Sequence, residues 1–281
     1  MLLYLGLALI LCQSNALFFG NNGDKWDALK VTWDINPLSS FAFASMPRTV
    51  GEARNEGFTQ ETSRCEASAS KPFLGSRYLK DGDNAVMLLY DRHGYIAGIQ
   101  VGIPKGLPRN YPSSMMTPPW IAEGNRYILT AYFVDPASIC TSGRTSAMYE
   151  SQGTGTGLYI QNGTDPVHNV LSIPHQEAAI ANTKWTKGKC FKTMGMHYWY
   201  NLREDMSCDD FQPIFLLYNN GKLNAFGWAI NADLQSHRFE HPPLASIGAF
   251  MEVPPKCLAS QGRLSTMHIY MTDNPVLHDW C

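Results

Sequence analysis

The sequence predicts a mainly β fold of antiparallel sheets held together by disulfides, and three observations carry that expectation. Short runs rich in aromatic and β-branched residues recur along the chain, bounded by Gly, Pro, Asn and Asp. Six of the seven cysteines lie beyond the first sixteen residues, none of them in a C-x-x-C pair. A hairpin-like stretch, LLYDRHGYIAG at Leu88 to Gly98, returns as LLYNNGKLNAFG at Leu216 to Gly227.

The chain opens with MLLYLGLALILCQSNA. An apolar run from Leu2 to Cys12 precedes Ser14 and Ala16, which occupy the small-x-small positions of a cleavage site, so residues 1–16 read as a secretory signal peptide. That run is too short for a membrane span, and no later segment holds the roughly 18 unbroken apolar residues a span needs. The expectation is a secreted, extracellular chain with no membrane span.

In the stretch ALKVTWDI, Leu29, Val31, Trp33 and Ile35 alternate with polar residues, the period of a half-buried strand. Thr49 stands three residues before Glu52, and Gly57 follows, which predicts a short helix with a capping box and a glycine stop. A second short helix is expected in PHQEAAIANTKW, where Pro174 suits a first turn. Strands are expected in AVMLLYD, YIAGIQVGI, RYILTAYFVD, GLYIQNG, MGMHYWYN, PIFLLYN, KLNAFGWAI and TMHIYMT.

The repeated hairpin has neighbours that also recur in order. GSRY at Gly75 answers to GMHY at Gly195, TPPW at Thr117 to HPPL at His241, and the segment ending at Cys140 to the one ending at Cys281. These matches predict an internal duplication of two similar β units. The first, with the N-terminal strand and short helix, covers 17–140, a connecting segment 141–189, and the second unit 190–281. Equivalence then pairs Cys65 with Cys140 and Cys190 with Cys281, leaving Cys208 for Cys257.

Net charge is −2 with 16% charged residues, which argues against a nucleic-acid surface. No P-loop, G-x-S-x-G elbow, H-E-x-x-H or EF-hand spacing occurs, so no cofactor is named and no metal site is assigned. GTGTG at Gly153 to Gly157 lacks the spacing of a phosphate cradle and reads as a strand entry. The acidic loops with Asp81 and Asp83, and with Glu204, Asp205, Asp209 and Asp210, read as solvated turns. Asp91 and His93 read as turn residues too, because the second copy keeps the glycine of DRHG and replaces the histidine.

Chemistry is therefore sought where the copies differ. His197 and Trp199 share one face of the strand MGMHYWYN, with Arg77 as the counterpart of His197, and His268 has no matching histidine. These three are the candidate ligand-pocket residues. Asn162, in the sequon Asn-Gly-Thr, is the candidate glycosylation site and the tip of a hairpin turn. The sequence reads first as an extracellular binding protein for a small apolar ligand held between the units, or for a protein or matrix partner. The alternative is a secreted hydrolytic or oxidative enzyme with its site at the junction of the two units.

Overall fold

The structure is a computed structural model and describes residues 25–36, 38–63, 65 and 72–281. The signal-peptide reading of residues 1–16 lies outside the described residues. Two short strands come first, β1 (Lys30–Val31) and β2 (Ala44–Ser45), followed by helix α1 (Val50–Asn55). The expected capping box starts that helix. Glu52 N donates to Thr49 Oγ1 at 3.2 Å and Thr49 N to Glu52 Oε2 at 3.0 Å, satisfying two amides that the helix itself cannot.

Strands β3 (Thr59–Ser63), β4 (Ser76–Leu79), β5 (Met87–Tyr90), β6 (Ile96–Pro104), β7 (Ile121–Glu123), β8 (Arg126–Tyr132), β9 (Leu158–Gln161) and β10 (Val170–Ile173) form one antiparallel sheet. Its order is β10-β9-β8-β6-β5-β4-β3, with β7 paired to β8. Strands β11 (Trp185–Phe191), β12 (Gly195–Tyr200), β13 (Ile214–Asn219), β14 (Lys222–Ile230) and β15 (Ser265–Tyr270) form the second, which continues from β15 onto β1 and β2. Each of the eight expected strands is present. The expected boundaries shift, however: β1 and β2 belong to the second sheet, while β9 and β10, placed in the connecting segment, extend the first.

The two sheets pack face to face. Leu88, Tyr90, Ile99 and Val101 from one meet Leu216, Tyr218, Phe226 and Trp228 from the other in a single buried cluster. Successive residues of a strand point to opposite faces, so Met87 and Leu89 enter an outer layer with Phe73, Ile128 and Ile139. Phe215 and Leu217 enter an outer layer with Phe211, Ile247 and Leu258. Both faces of β5 and β13 are therefore buried, which is why LLY is an unbroken apolar run with no alternation. Burial of each such side chain contributes about 1.5–3 kcal/mol.

The hairpins β5–β6 and β13–β14 share a register feature. Leu89 faces Gly98 and Tyr90 faces Ile96, with a register shift between the two pairs; Leu217 faces Ala225 and Tyr218 faces Leu223, with the shift at the same place. Gly75 and Gly195 both adopt positive φ, 96° and 113°, and in each a Cβ would stand 2.9 Å from a carbonyl oxygen, of Tyr90 and of Tyr218 respectively. The proline pairs do not correspond. TPPW precedes β7, which pairs with β8, whereas HPPL follows the bridge of Glu240 to Thr266. Disulfides join Cys65 to Cys140, Cys190 to Cys281 and Cys208 to Cys257.

Three local expectations change. The strand expected through Ile35 stops at Val31, because Thr32 turns to φ 70° and Ile35 is left 83% exposed. The second short helix is a single 3-10 turn at Glu177–Ile180, and Pro174 precedes it, its carbonyl accepting from Tyr218 Oη. Asn162 and Gly163 do not form a two-residue turn: neither has positive φ, and residues 162–169 all lie between β9 and β10. GTGTG leads into β9 as expected, and its first glycine, Gly153, follows helix α3 (Ser146–Gln152), α2 being Pro136–Ile139. A Cβ there would lie 2.1 Å from Trp26 O, so close backbone packing explains the glycine.

Candidate functional site

Alternation along β12 turns Tyr198 into the inter-sheet core and His197 and Trp199 to the outer face of the seven-stranded sheet. Along β15 it sends Met267 and Ile269 inward and His268 outward. Cross-strand register then assembles the site. Trp199 faces Phe215, Phe215 faces Gly227, and Gly227 faces His268, so one row of the sheet carries aromatic, aromatic, no side chain, imidazole. All three sequence candidates, His197, Trp199 and His268, line one cavity of about 290 Å³. They do so on the outer face of the second sheet and not between the sheets, where the interface is filled by core side chains.

The remaining wall comes from loops. The kink at Thr32 carries Trp33 over the sheet face, where its backbone N donates to Glu240 Oε1 at 2.6 Å and its indole Nε1 to Thr193 Oγ1 at 2.8 Å. Met194, Phe250 and the Pro242-Pro243 pair close the sides. His197 stacks near Trp199 and Phe215, with ring centroids 6.1 and 5.6 Å away.

The electrostatic centre is a carboxylate–imidazole pair. Glu240 Oε2 lies 2.6 Å from His268 Nδ1, and both side chains are over nine-tenths buried. The carboxylate also accepts from His268 N at 2.9 Å, from Trp33 N and from Thr266 Oγ1 at 3.0 Å. Burial alone raises the Glu240 pKa, but His268 and these hydrogen bonds outweigh it and hold the carboxyl below its ordinary value, so Glu240 is ionised. His268 Nε2, on the ring edge away from Glu240, is buried and has no hydrogen-bond partner among the described residues.

His197 behaves differently. Its Nδ1 lies 3.0 Å from Lys189 O and 3.1 Å from Gly195 O, two acceptors that require Nδ1 to carry the proton. Burial, reinforced by His268, pushes its pKa down to about 3, so the ring is neutral. His241 Nδ1 likewise faces Leu264 O at 2.9 Å. The cavity thus meets three imidazoles whose Nδ1 positions are occupied by protein acceptors. Among the described residues no group of three or more His, Cys, Asp or Glu side chains is placed to hold a metal ion.

Other singled-out residues lie elsewhere. Asp91 is buried, and its carboxylate accepts from the amides of His93 at 2.9 Å, Tyr95 at 3.1 Å and Arg144 at 3.0 Å, closing the hairpin. Asp83 caps its own turn through Ala85 N and accepts from Ser236 Oγ; Glu204 pairs with Lys256, and Asp210 with Arg203. Asn162 is exposed beside β9. Sequence reasoning missed Glu240 and Trp33, which reach His268 across 28 residues and Glu240 across 207. Compared with known proteins, the chain matches no family model, no curated protein and no solved structure.

Proposed function

We propose that the protein is a secreted binding protein that takes a small apolar ligand into the cavity beside His268. The observation that carries this reading is a pocket of about 290 Å³, at the lower edge of small-ligand sites, walled by Trp33, Trp199, Phe215 and Phe250 and with few polar groups. Removal of the leader after Ala16, an N-glycan on Asn162 and descent from a duplicated β unit belong to the same proposal. The three disulfides support an oxidising destination.

A ligand that binds only the folded chain raises its melting temperature with concentration. A thermal-shift panel of small aromatic and aliphatic compounds is expected to give saturable stabilisation by several members; a panel that leaves the transition unmoved overturns the reading. Secretory expression tests the destination, with a mobility shift that glycosidase or Asn162→Gln removes.

The Glu240–His268 pair favours one second reading. An imidazole oriented by a carboxylate at the wall of an apolar cavity has the parts of a general base, so hydrolysis of a small ester is the alternative. Turnover of p-nitrophenyl acetate that His268→Ala abolishes would select it. Equal background rates in both proteins would set it aside.

A further inference from the structure

Strand β10 ends the first sheet and β11 the second, and where these two edges face each other the sandwich leaves a shallow cleft of about 40 Å³. Ile160 and Leu171 line it from the first sheet, Trp185, Tyr200 and Ile214 from the second. Ile160 and Ile214 are buried and Trp185 is 7% exposed, but Leu171 and Tyr200 are only half-buried. Apolar surface therefore reaches the mouth of the cleft. The volume is too small to enclose a ligand, so whatever shields this surface must lie across the mouth.

Asn162 stands at that mouth. Along β9, Leu158 and Ile160 point into the core between the sheets, and Asn162 falls on the same face, its N continuing the ladder by donating to Asn169 O at 2.8 Å. Gln161 fixes that direction. It is buried on the opposite face, where it accepts from Tyr132 Oη at 2.9 Å and donates to Pro72 O at 2.8 Å. Asp165 stiffens the loop that follows, accepting from Val167 N at 2.9 Å and His168 N at 3.0 Å. The exposed sequon asparagine thus lines the cleft beside Trp185 and Tyr200. A pyranose ring has an apolar C–H face that gains by covering aromatic surface, and a sugar tethered at Asn162 meets that surface at high effective concentration.

Resting on the glycan reading above, we propose that the N-glycan on Asn162 is a structural cover, its first sugar lying over the cleft against Tyr200 and Trp185 and closing the edge between the two sheets. The stabilisation then resides in the protein-proximal N-acetylglucosamine and not in the branches beyond it.

The experiment compares melting temperatures of three forms of the full secreted chain, made in a host that adds high-mannose glycans. They are the glycosylated protein, the same protein trimmed by an endoglycosidase to one N-acetylglucosamine, and Thr164→Ala, which removes the sequon and leaves Asn162 in place. The first two are expected to melt together and the third about 2–4 °C lower. Thr164→Ser, which keeps the sequon, is expected to melt with the wild type and so separates the sugar from Thr164 itself. In Tyr200→Ala the gap between glycosylated and glycan-free forms is expected to fall below half. The three-form comparison does not depend on that variant.

A gap under about 1 °C overturns the cover, as does a trimmed form that melts with Thr164→Ala, since the stabilisation would then belong to the outer sugars. A glycosylated chain that light scattering shows to be a dimer, dissociated by Tyr200→Ala, overturns it by giving the cleft to a second copy. Absence of any mobility shift on glycosidase treatment removes the glycan reading itself, and this proposal with it, while leaving the cavity beside His268 untouched.

Discussion

The two sheets hold the same structural position in opposite ways. In the eight-stranded sheet Met87 faces Gln100 and Gln100 faces Thr130; in the seven-stranded sheet Phe215 faces Gly227 and Gly227 faces His268. Arg77 and His197 stand at matching places, facing Leu89 and Leu217. Around Arg77 every polar group is answered. Its guanidinium donates to Glu61 at 2.5 Å, Gln100 at 3.1 Å and Glu123 at 3.1 Å, Gln100 donates to Thr130 at 2.8 Å, and Arg126 closes the ring against both glutamates. The guanidinium also lies 4.3 Å from the Phe73 ring centroid. In the other sheet an imidazole and a glycine stand at these places, and the imidazole lines the cavity. A scaffold position that one sheet seals with ions becomes a pocket in the other.

Three measurements would break or sharpen this contrast. Arg77→Met should be the most damaging, because it removes a buried guanidinium from Glu61 and Glu123 and leaves the buried Gln100 Oε1 without its donor; a loss of about 2–3 kcal/mol in urea unfolding is expected. A cost under about 1 kcal/mol would mean that the ion network is not what seals the first sheet.

Gly227→Ala comes next. A Cβ there would sit 2.1 Å from Phe215 Cζ and 2.5 Å from Met267 O; the ring can swing but the backbone cannot, so a loss of about 1–3 kcal/mol is expected. Because Phe215 must move into the cavity, ligand binding should weaken in parallel. Unchanged binding would detach Gly227 from the pocket.

The smallest effect is the dependence on pH. His197 takes a proton near the ordinary value of 6.5 when unfolded but only near 3 when folded, so the unfolded state binds more protons between those values. Stability should therefore fall as pH drops from 6.5, before the lowered carboxyl of Glu61 in the first sheet begins to be protonated below its ordinary 4.5. His197→Phe should flatten that slope between about pH 6.5 and 5, read from urea midpoints. A wild-type chain with no slope there would place a solvated, chargeable His197 in the site.

Much of this fold was legible in local pattern. The eight strands announced themselves by aromatic and β-branched runs, α1 by Thr49 and Glu52, and the disulfide pairs by the parallel positions of Cys140 and Cys281. Strands such as TQETS at Thr59–Ser63 and WTKGKCF at Trp185–Phe191 were missed because they are polar or interrupted by lysine and glycine, and earn their place by pairing with β4 and β12. The site was half legible. Comparing the copies singled out His197, Trp199 and His268, but no spacing points from Glu240 to His268, nor from Trp33 to either. Those contacts depend on the kink at Thr32 and on the bridge of Glu240 to Thr266, which are products of tertiary pairing.

The docking of β1 against β15 has a consequence for the order in which the halves are finished. The strands of the first sheet all lie between Thr59 and Ile173 and can pair as soon as that stretch has left the ribosome. The second sheet needs Lys30–Val31 to wait for Ser265–Tyr270, a closure across most of the chain. Trp33 cannot take its place over His268 before then, so the half that carries the pocket is completed last, on a first half already able to serve as its template.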